Sequence, residues 1–179
     1  MTFSASLQFG KIGEGRIATW LRARGCSVLP VYEKEIHEGK GPTLFSVEGQ
    51  LIAPDLLAFR TGHKQDVKWI EAKTKSAFTW HRNTGCWTTG IDVRHYGDYL
   101  KVAGLSPWPV WLLFLHLQGQ AKDSPQGSPV GLFGNELTYL SQHEHHRSDR
   151  WGCRGMVYWA HGSLRRLATL GDVLIGTEA

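Results

Sequence analysis

The sequence has no CxxC pair, no internal repeat, no extended low-complexity tract and no long apolar run. Cys26, Cys86 and Cys153 are odd in number and widely spaced. That spacing excludes a disulfide framework or a zinc ribbon and fits unpaired thiols in a reducing cytosol. The opening stretch MTFSASLQFG lacks both a basic start and an apolar segment, so no signal peptide is expected there. The most apolar run, PVWLLFLHL from Pro109 to Leu117, is about half of what a bilayer span requires. It reads as a buried strand, and the expectation is a cytoplasmic protein with no membrane partner.

What remains is an ordinary globular composition. With 41% hydrophobic and 20% charged residues the chain is unlike a disordered one, and 179 residues leave room for one core rather than two. The net charge of +4 is compatible with a polyanionic partner without requiring one.

Hydrophobic periodicity sketches the layout. From Gln8 to Arg24, the apolar Phe9, Ile12, Ile17, Trp20 and Leu21 recur at helical spacing, with Gly25 placed to cap the end. Ser27–Glu33 reads as a short strand in which Pro30 suggests an edge, and 35–49 as a loop or irregular hairpin. Asp55–Phe59 and Val67–Lys73 are strand-like and joined by TGHKQ, a hairpin signature. Thr74–Gly90 shows no clear period. Ile91–Ala103 predicts a helix ended by Gly104. Val110–Leu117, Val130–Phe133 and Met156–Ala160 predict further strands, with a turn-rich insertion at Gln118–Pro129. The sum is a mixed α/β fold, a central sheet with helices on at least one face.

The hairpin carries the chemistry. Side chains alternate faces along a strand, so Glu71 and Lys73 point one way and Ala72 the other. If the turn is symmetric about His63, facing residues have numbers summing to 126, which sets Asp55 opposite Glu71. Like charges placed directly across a sheet are destabilising. Their neighbours Leu56, Leu57, Phe59, Trp69 and Ile70 are hydrophobic, so water screens the pair only partly. A shared divalent cation removes the difficulty, and hard oxygen ligands suit Mg²⁺. Pro54 is tolerated at the first residue of a strand, which places Asp55 at a strand mouth open to metal and substrate. An exposed strand with an alternating charged face would explain Glu71 and Lys73 alone, but not Asp55 at the mirror position.

Pro54-Asp55 followed by Glu71-Ala72-Lys73 resembles the signature of the PD-(D/E)XK nuclease superfamily, which includes restriction endonucleases and archaeal Holliday-junction resolvases. The similarity covers roughly Gly10–Leu117. It implies a restriction-endonuclease-like core in the order α-β-β-β-α-β over residues 1–117, with 118–179 a C-terminal extension packed on the same domain. It also implies a further acidic residue from the preceding helix. Glu14 matches that position, and on a helical wheel it borders the apolar stripe near Leu21. An ordinary exposed glutamate near a helix N-terminus is the plainer reading of Glu14.

The resemblance further implies hydrolysis of a phosphodiester leaving a 5′-phosphate. Asp55, Glu71, Glu14 and the backbone carbonyl of Ala72 would hold Mg²⁺, with Mn²⁺ able to substitute. Lys73 would position the attacking water, assist its deprotonation or stabilise developing charge. DNA is the expected substrate, with RNA and a homodimeric state left open. The stretch after the lysine interleaves Lys75, His81 and Arg82 with Phe78, Trp80 and Trp87, suited to phosphate contact and base stacking. On the next helix Arg94, His95, Tyr96, Tyr99 and Lys101 are placed to line the same groove; Arg94 and Tyr96 complete the expected nucleic-acid contacts.

Two rivals stand beside this reading. His143, Glu144, His145 and His146, with His161 beyond, could bind zinc, but no fixed spacing or cysteine partner completes a tetrahedral set, and an exposed polar loop explains them. A catalytically silent nucleic-acid binder of the same fold would have no need of the acidic pair.

Overall fold

Helix α1 (Phe3–Ala23) begins earlier than periodicity suggests and ends at Gly25, whose φ of 80° is a left-handed conformation that glycine adopts without strain. Its Ile17, Trp20 and Leu21 are buried as one stripe. The computed structural model describes residues 3–31, 42–47, 49–60, 62–63, 66–121, 124–150, 152 and 154–175. The predicted strand at 27–33 appears as β1 (Cys26–Pro30), with residues 32 and 33 outside the described ones. Pro30 ends an edge strand, where its missing N–H leaves no ladder bond unmade.

The polar stretch up to residue 49 yields a hairpin over its described part, β2 (Thr43–Ser46) with β3 (Gly49–Ile52). Then come β4 (Leu56–Arg60) and β5 (Val67–Lys75), paired antiparallel. Thr74–Gly90, which showed no period, contains a second hairpin of β6 (Thr79–His81) and β7 (Cys86–Asp92). Helix α2 spans Val93–Leu105 rather than 91–103. Ile91 and Asp92 close β7, and the Asp92 carboxylate accepts the N–H of Arg94 as an N-cap, fixing the start. Gly104 lies inside this helix; Ser106 N–H, bonded to Val102 O, marks its end.

Strand β8 (Val110–His116) runs parallel to β5, and α2 lies in the crossover that a parallel pair needs. The remaining chain is interleaved with what precedes it. β9 (Gly131–Glu136) and β12 (Arg165–Ala168) extend the main sheet to six strands in the order β1-β4-β5-β8-β9-β12. β10 (His146–Ser148) and β11 (Met156–Ala160) join β7 and β6 in a second sheet ordered β10-β11-β7-β6. Helices α3 (Leu137–Gln142) and α4 (Leu170–Ile175) complete the fold. None of these helices is long and apolar enough to cross a membrane.

The two faces of the six-stranded sheet carry separate cores. On one, α1 and α4 cover Leu56, Ala58, Ile70, Ala72, Leu113 and Leu115. On the other, α2, α3 and the second sheet cover Leu112, Phe114, Tyr99, Val102 and Trp159. Strand alternation therefore sends Ala72 to the α1 face and its neighbours Glu71 and Lys73 toward the α2 side.

Candidate active site

The β4–β5 register is Leu56↔Ile70, Leu57↔Trp69, Ala58↔Lys68 and Phe59↔Val67. Every pair sums to 126, so Asp55, one residue beyond the ladder, faces Glu71. The ladder stops there because Asp55 takes over: its Oδ2 accepts the N–H of Ala72 at 3.0 Å. N–H and C=O of one strand residue point to the same side. The Ala72 carbonyl therefore faces the gap that Asp55 opens.

Glu71 is fully buried (0% exposed), and apart from its ion pair with Lys73 neither carboxylate oxygen has a well-formed hydrogen-bond partner. A fully buried carboxylate facing a second carboxylate is costly. Burial, and next the charge of Glu71, raise the Asp55 carboxyl to about 7. Glu14 also rises to about 7, from burial first and the charge of Asp55 second. Lys73 moves the other way: burial alone would favour its neutral form, but Glu71, Asp55 and Glu14 together hold the ammonium well above its usual range. Three carboxylates and one lysine thus share one electrostatic environment.

Glu14 reaches it because α1 sits unusually close to β5. A methyl group on Gly13 would overlap the Thr74 hydroxyl, so only glycine permits this approach. Gly13→Ala is expected to push α1 outward, lowering stability by about 1–3 kcal/mol and weakening cation binding through the displaced Glu14. Thermal melts with and without Mg²⁺ check it; an unchanged Mg²⁺-induced shift would refute the coupling.

From the other side α2 contributes a polar pair one helical turn apart, His95 and Tyr99, ring centroids 6.1 Å apart. The Tyr99 hydroxyl is turned toward Glu71, and burial followed by the Glu71 and Asp55 charges keeps the phenol protonated. His95 is held neutral by burial and by the Lys73 charge. Lys75, two residues beyond Lys73, is lowered to about 8 by burial and the Lys73 charge.

The expected nucleic-acid contacts divide. Lys75 adjoins the carboxylates, and Arg82 and Arg94 are exposed. Trp80 and Trp87 are a cross-strand pair on β6 and β7, packed edge to face at 4.8 Å, with Trp87 also against the core. Tyr96 cannot serve: it is 2% exposed, packs on Trp159, and its hydroxyl donates to Glu144 at 2.7 Å. Helical rotation decides this, since Tyr99 and His95 occupy the face that Tyr96 does not. His81 turns to a histidine cluster described below. Tyr99 and His95 could have been singled out from their i, i+4 spacing opposite the acidic strand, but only packing shows which face of α2 meets Glu71.

The residues fit a hard divalent cation. All candidate side-chain donors are carboxylate oxygens, the Asp55 and Glu14 carboxyls are raised to about 7, and Glu71 is fully buried beside them. Among the described residues, no three His, Cys, Asp or Glu side chains are already gathered closely enough to hold a metal ion.

The architecture is a mixed α/β fold whose central hairpin brings Asp55, Glu71 and Lys73 together at its mouth. No protein-family model matches the chain, and no curated protein matches it. Among solved structures it is similar to Hjc, a Holliday junction resolvase from the archaeal hyperthermophile Archaeoglobus fulgidus, at 8% identity over 86% of this chain and 90% of that one, TM-score 0.48. It is also similar to D212, a nuclease from a fusselovirus, at 13% identity over 98% of this chain and 92% of that one, TM-score 0.42.

Proposed function

We propose that this chain is a metal-dependent nuclease that hydrolyses phosphodiester bonds in DNA. The observation that carries the reading is the fully buried Glu71 facing Asp55 across the end of a hairpin, with Lys73 paired to it. A structural protein gains nothing from three clustered carboxylates of which two are pushed to about 7.

Asp55, Glu71 and the Ala72 carbonyl would hold Mg²⁺, with Glu14 as a further ligand directly or through water. When bound, the cation polarises the phosphate and lowers the pKa of a coordinated water. The chain's own groups do the rest. Lys73, an ammonium set among these carboxylates, would stabilise the negative charge building on phosphate oxygen. The Tyr99 hydroxyl, turned toward Glu71, would help orient its carboxylate. Lys75, Arg82 and Arg94 would supply positive charge for the backbone, and the Trp80–Trp87 pair an aromatic surface for bases.

Incubating the full chain with linear, single-stranded, flap and four-way DNA tests the proposal. Cleavage is expected with Mg²⁺ or Mn²⁺ and none with EDTA. Because Asp55 and Glu14 must lose protons to bind a cation, the Mg²⁺ concentration needed for half-maximal rate should fall as pH rises through about 7. Cleavage of every substrate at equal rate in EDTA, or of none in either metal, would refute it.

A further inference from the structure

The second sheet brings together four side chains that lie far apart in sequence. His81 and Cys86 are partners at the turn end of the β6–β7 ladder, so both side chains leave the same face. A tight turn joins them, with Gly85 N–H bonded to His81 O at 2.9 Å and Gly85 at φ 61°. His145, just before β10, is fixed by its N–H to Tyr158 O at 2.8 Å. His146 stacks flat on Tyr158 at 4.5 Å. Although β6 and β10 are opposite edges of this sheet, the His81 ring lies 5.0 Å from His145 and 4.3 Å from His146.

Three donor atoms converge on one point. The hydroxyl oxygen of the exposed Thr84 lies 2.8 Å from His81 Nδ1, 3.2 Å from Cys86 Sγ and 3.2 Å from His145 Nε2. Cys86 Sγ and His145 Nε2 are 3.4 Å apart. Tetrahedral zinc, with bonds of about 2.3 Å to sulfur and 2.0–2.1 Å to nitrogen, separates two such ligands by about 3.5 Å. The Thr84 hydroxyl thus stands where an ion would hold the same three atoms, once His81 Nδ1, Cys86 Sγ and His145 Nε2 had drawn in by roughly 0.7–1.2 Å.

The surrounding contacts suit a ligand role. His145 Nδ1 lies 2.8 Å from His146 Nδ1. With the proton on His145 Nδ1, its Nε2 keeps a lone pair facing the cysteine, the orientation that an outer hydrogen bond commonly imposes on a ligating histidine. The remaining members of the histidine tract are engaged elsewhere: His143 stacks on Tyr139 and bonds its carbonyl, Glu144 binds Arg147 and Tyr96, and His161 packs on Phe78 and Phe133.

We propose that His81, Cys86 and His145 form a second metal site, for a borderline-soft divalent ion of the zinc class, with water as fourth ligand once the Thr84 side chain rotates out. A thiolate and two imidazoles select such an ion over Mg²⁺, which prefers oxygen. Binding would pin the β6–β7 hairpin to the start of β10. The site is independent of the carboxylate centre and stands whether or not the chain cuts DNA.

Titrating the chelator-stripped full chain with Co²⁺, a spectroscopic substitute for Zn²⁺, tests this. One equivalent should produce tetrahedral visible bands and a thiolate-to-cobalt charge-transfer band, both removed by equimolar Zn²⁺. Cys86→Ser should abolish the charge-transfer band, and His145→Gln should weaken binding at least about tenfold. Asp55→Asn and Cys26→Ser should leave the band intact. No thiolate band in the wild type, or one that survives Cys86→Ser, overturns the site. Should Cys86→Ser fail to fold, His81→Gln and His145→Gln decide, and unchanged Co²⁺ affinity in both overturns it.

Discussion

Replacing Lys73 by alanine is expected to lower the cleavage rate by about 10²–10⁴-fold while the chain stays folded. Lys73 stands 29% exposed at the centre of the acidic cluster and pairs with fully buried Glu71. Its charge is the one positive contribution that lowers both Asp55 and Glu14. Removing it deprives the phosphate of its nearest fixed cation, and it also leaves Glu71 without its counter-ion. Two measurements separate these effects. Single-turnover cleavage at saturating Mg²⁺ reports the loss of charge stabilisation, whereas the metal-free melting temperature reports the cost of an unpaired Glu71. Lys73→Arg should restore the melt more than the rate, because a longer, planar guanidinium keeps the charge but spreads it and places it differently from a compact ammonium. Wild-type cleavage by Lys73→Ala would remove Lys73 from the reaction.

Asp55→Asn should abolish cleavage and, in the absence of metal, stabilise the fold. Asn keeps a carbonyl oxygen to accept the Ala72 N–H, so the local geometry survives. The wild-type carboxyl titrates near 7 when folded, against 3.8 for an unperturbed aspartate. A raised folded value means the folded state binds the proton more tightly. Stability is therefore greatest at low pH, falls as pH rises from about 4 toward 7, and levels off above that. Asn stays uncharged throughout and avoids this loss, worth about 1–3 kcal/mol at neutral pH, or roughly 2–10 °C in a chain of this size. Adding Mg²⁺ should raise the melting temperature of the wild type and leave Asp55→Asn unmoved. A variant that melts lower than wild type without metal would show that Asp55 is a structural carboxylate.

Much of this site was legible because it is built from local rules. The turn between β4 and β5 fixes the register, and the period of two fixes the faces, so facing numbers sum to 126 as the symmetry of the short loop suggests. Pro54 places the strand start, and the helical stripe of α1 places Glu14 at its edge. Elsewhere local signals fell short. The β6–β7 hairpin escaped detection because three-residue β6 is too short to show a period, and its aromatics interrupt the alternation. Tyr96 looked as available as Tyr99, since composition cannot tell which side of a helix meets the sheet. The histidine tract seemed to lack a cysteine because Cys86 lies 59 residues from His145.

By itself the sequence determined which two strands pair, in what register, and hence that Asp55 and Glu71 meet, because hairpin geometry depends on a few adjacent residues. Only the tertiary structure decided how deeply Glu71 is buried, that α1 closes on Thr74 through Gly13, that Tyr99 rather than Tyr96 faces the carboxylates, and that His81 and Cys86 join His145. Those outcomes depend on contacts between segments tens of residues apart, whose packing no local propensity encodes.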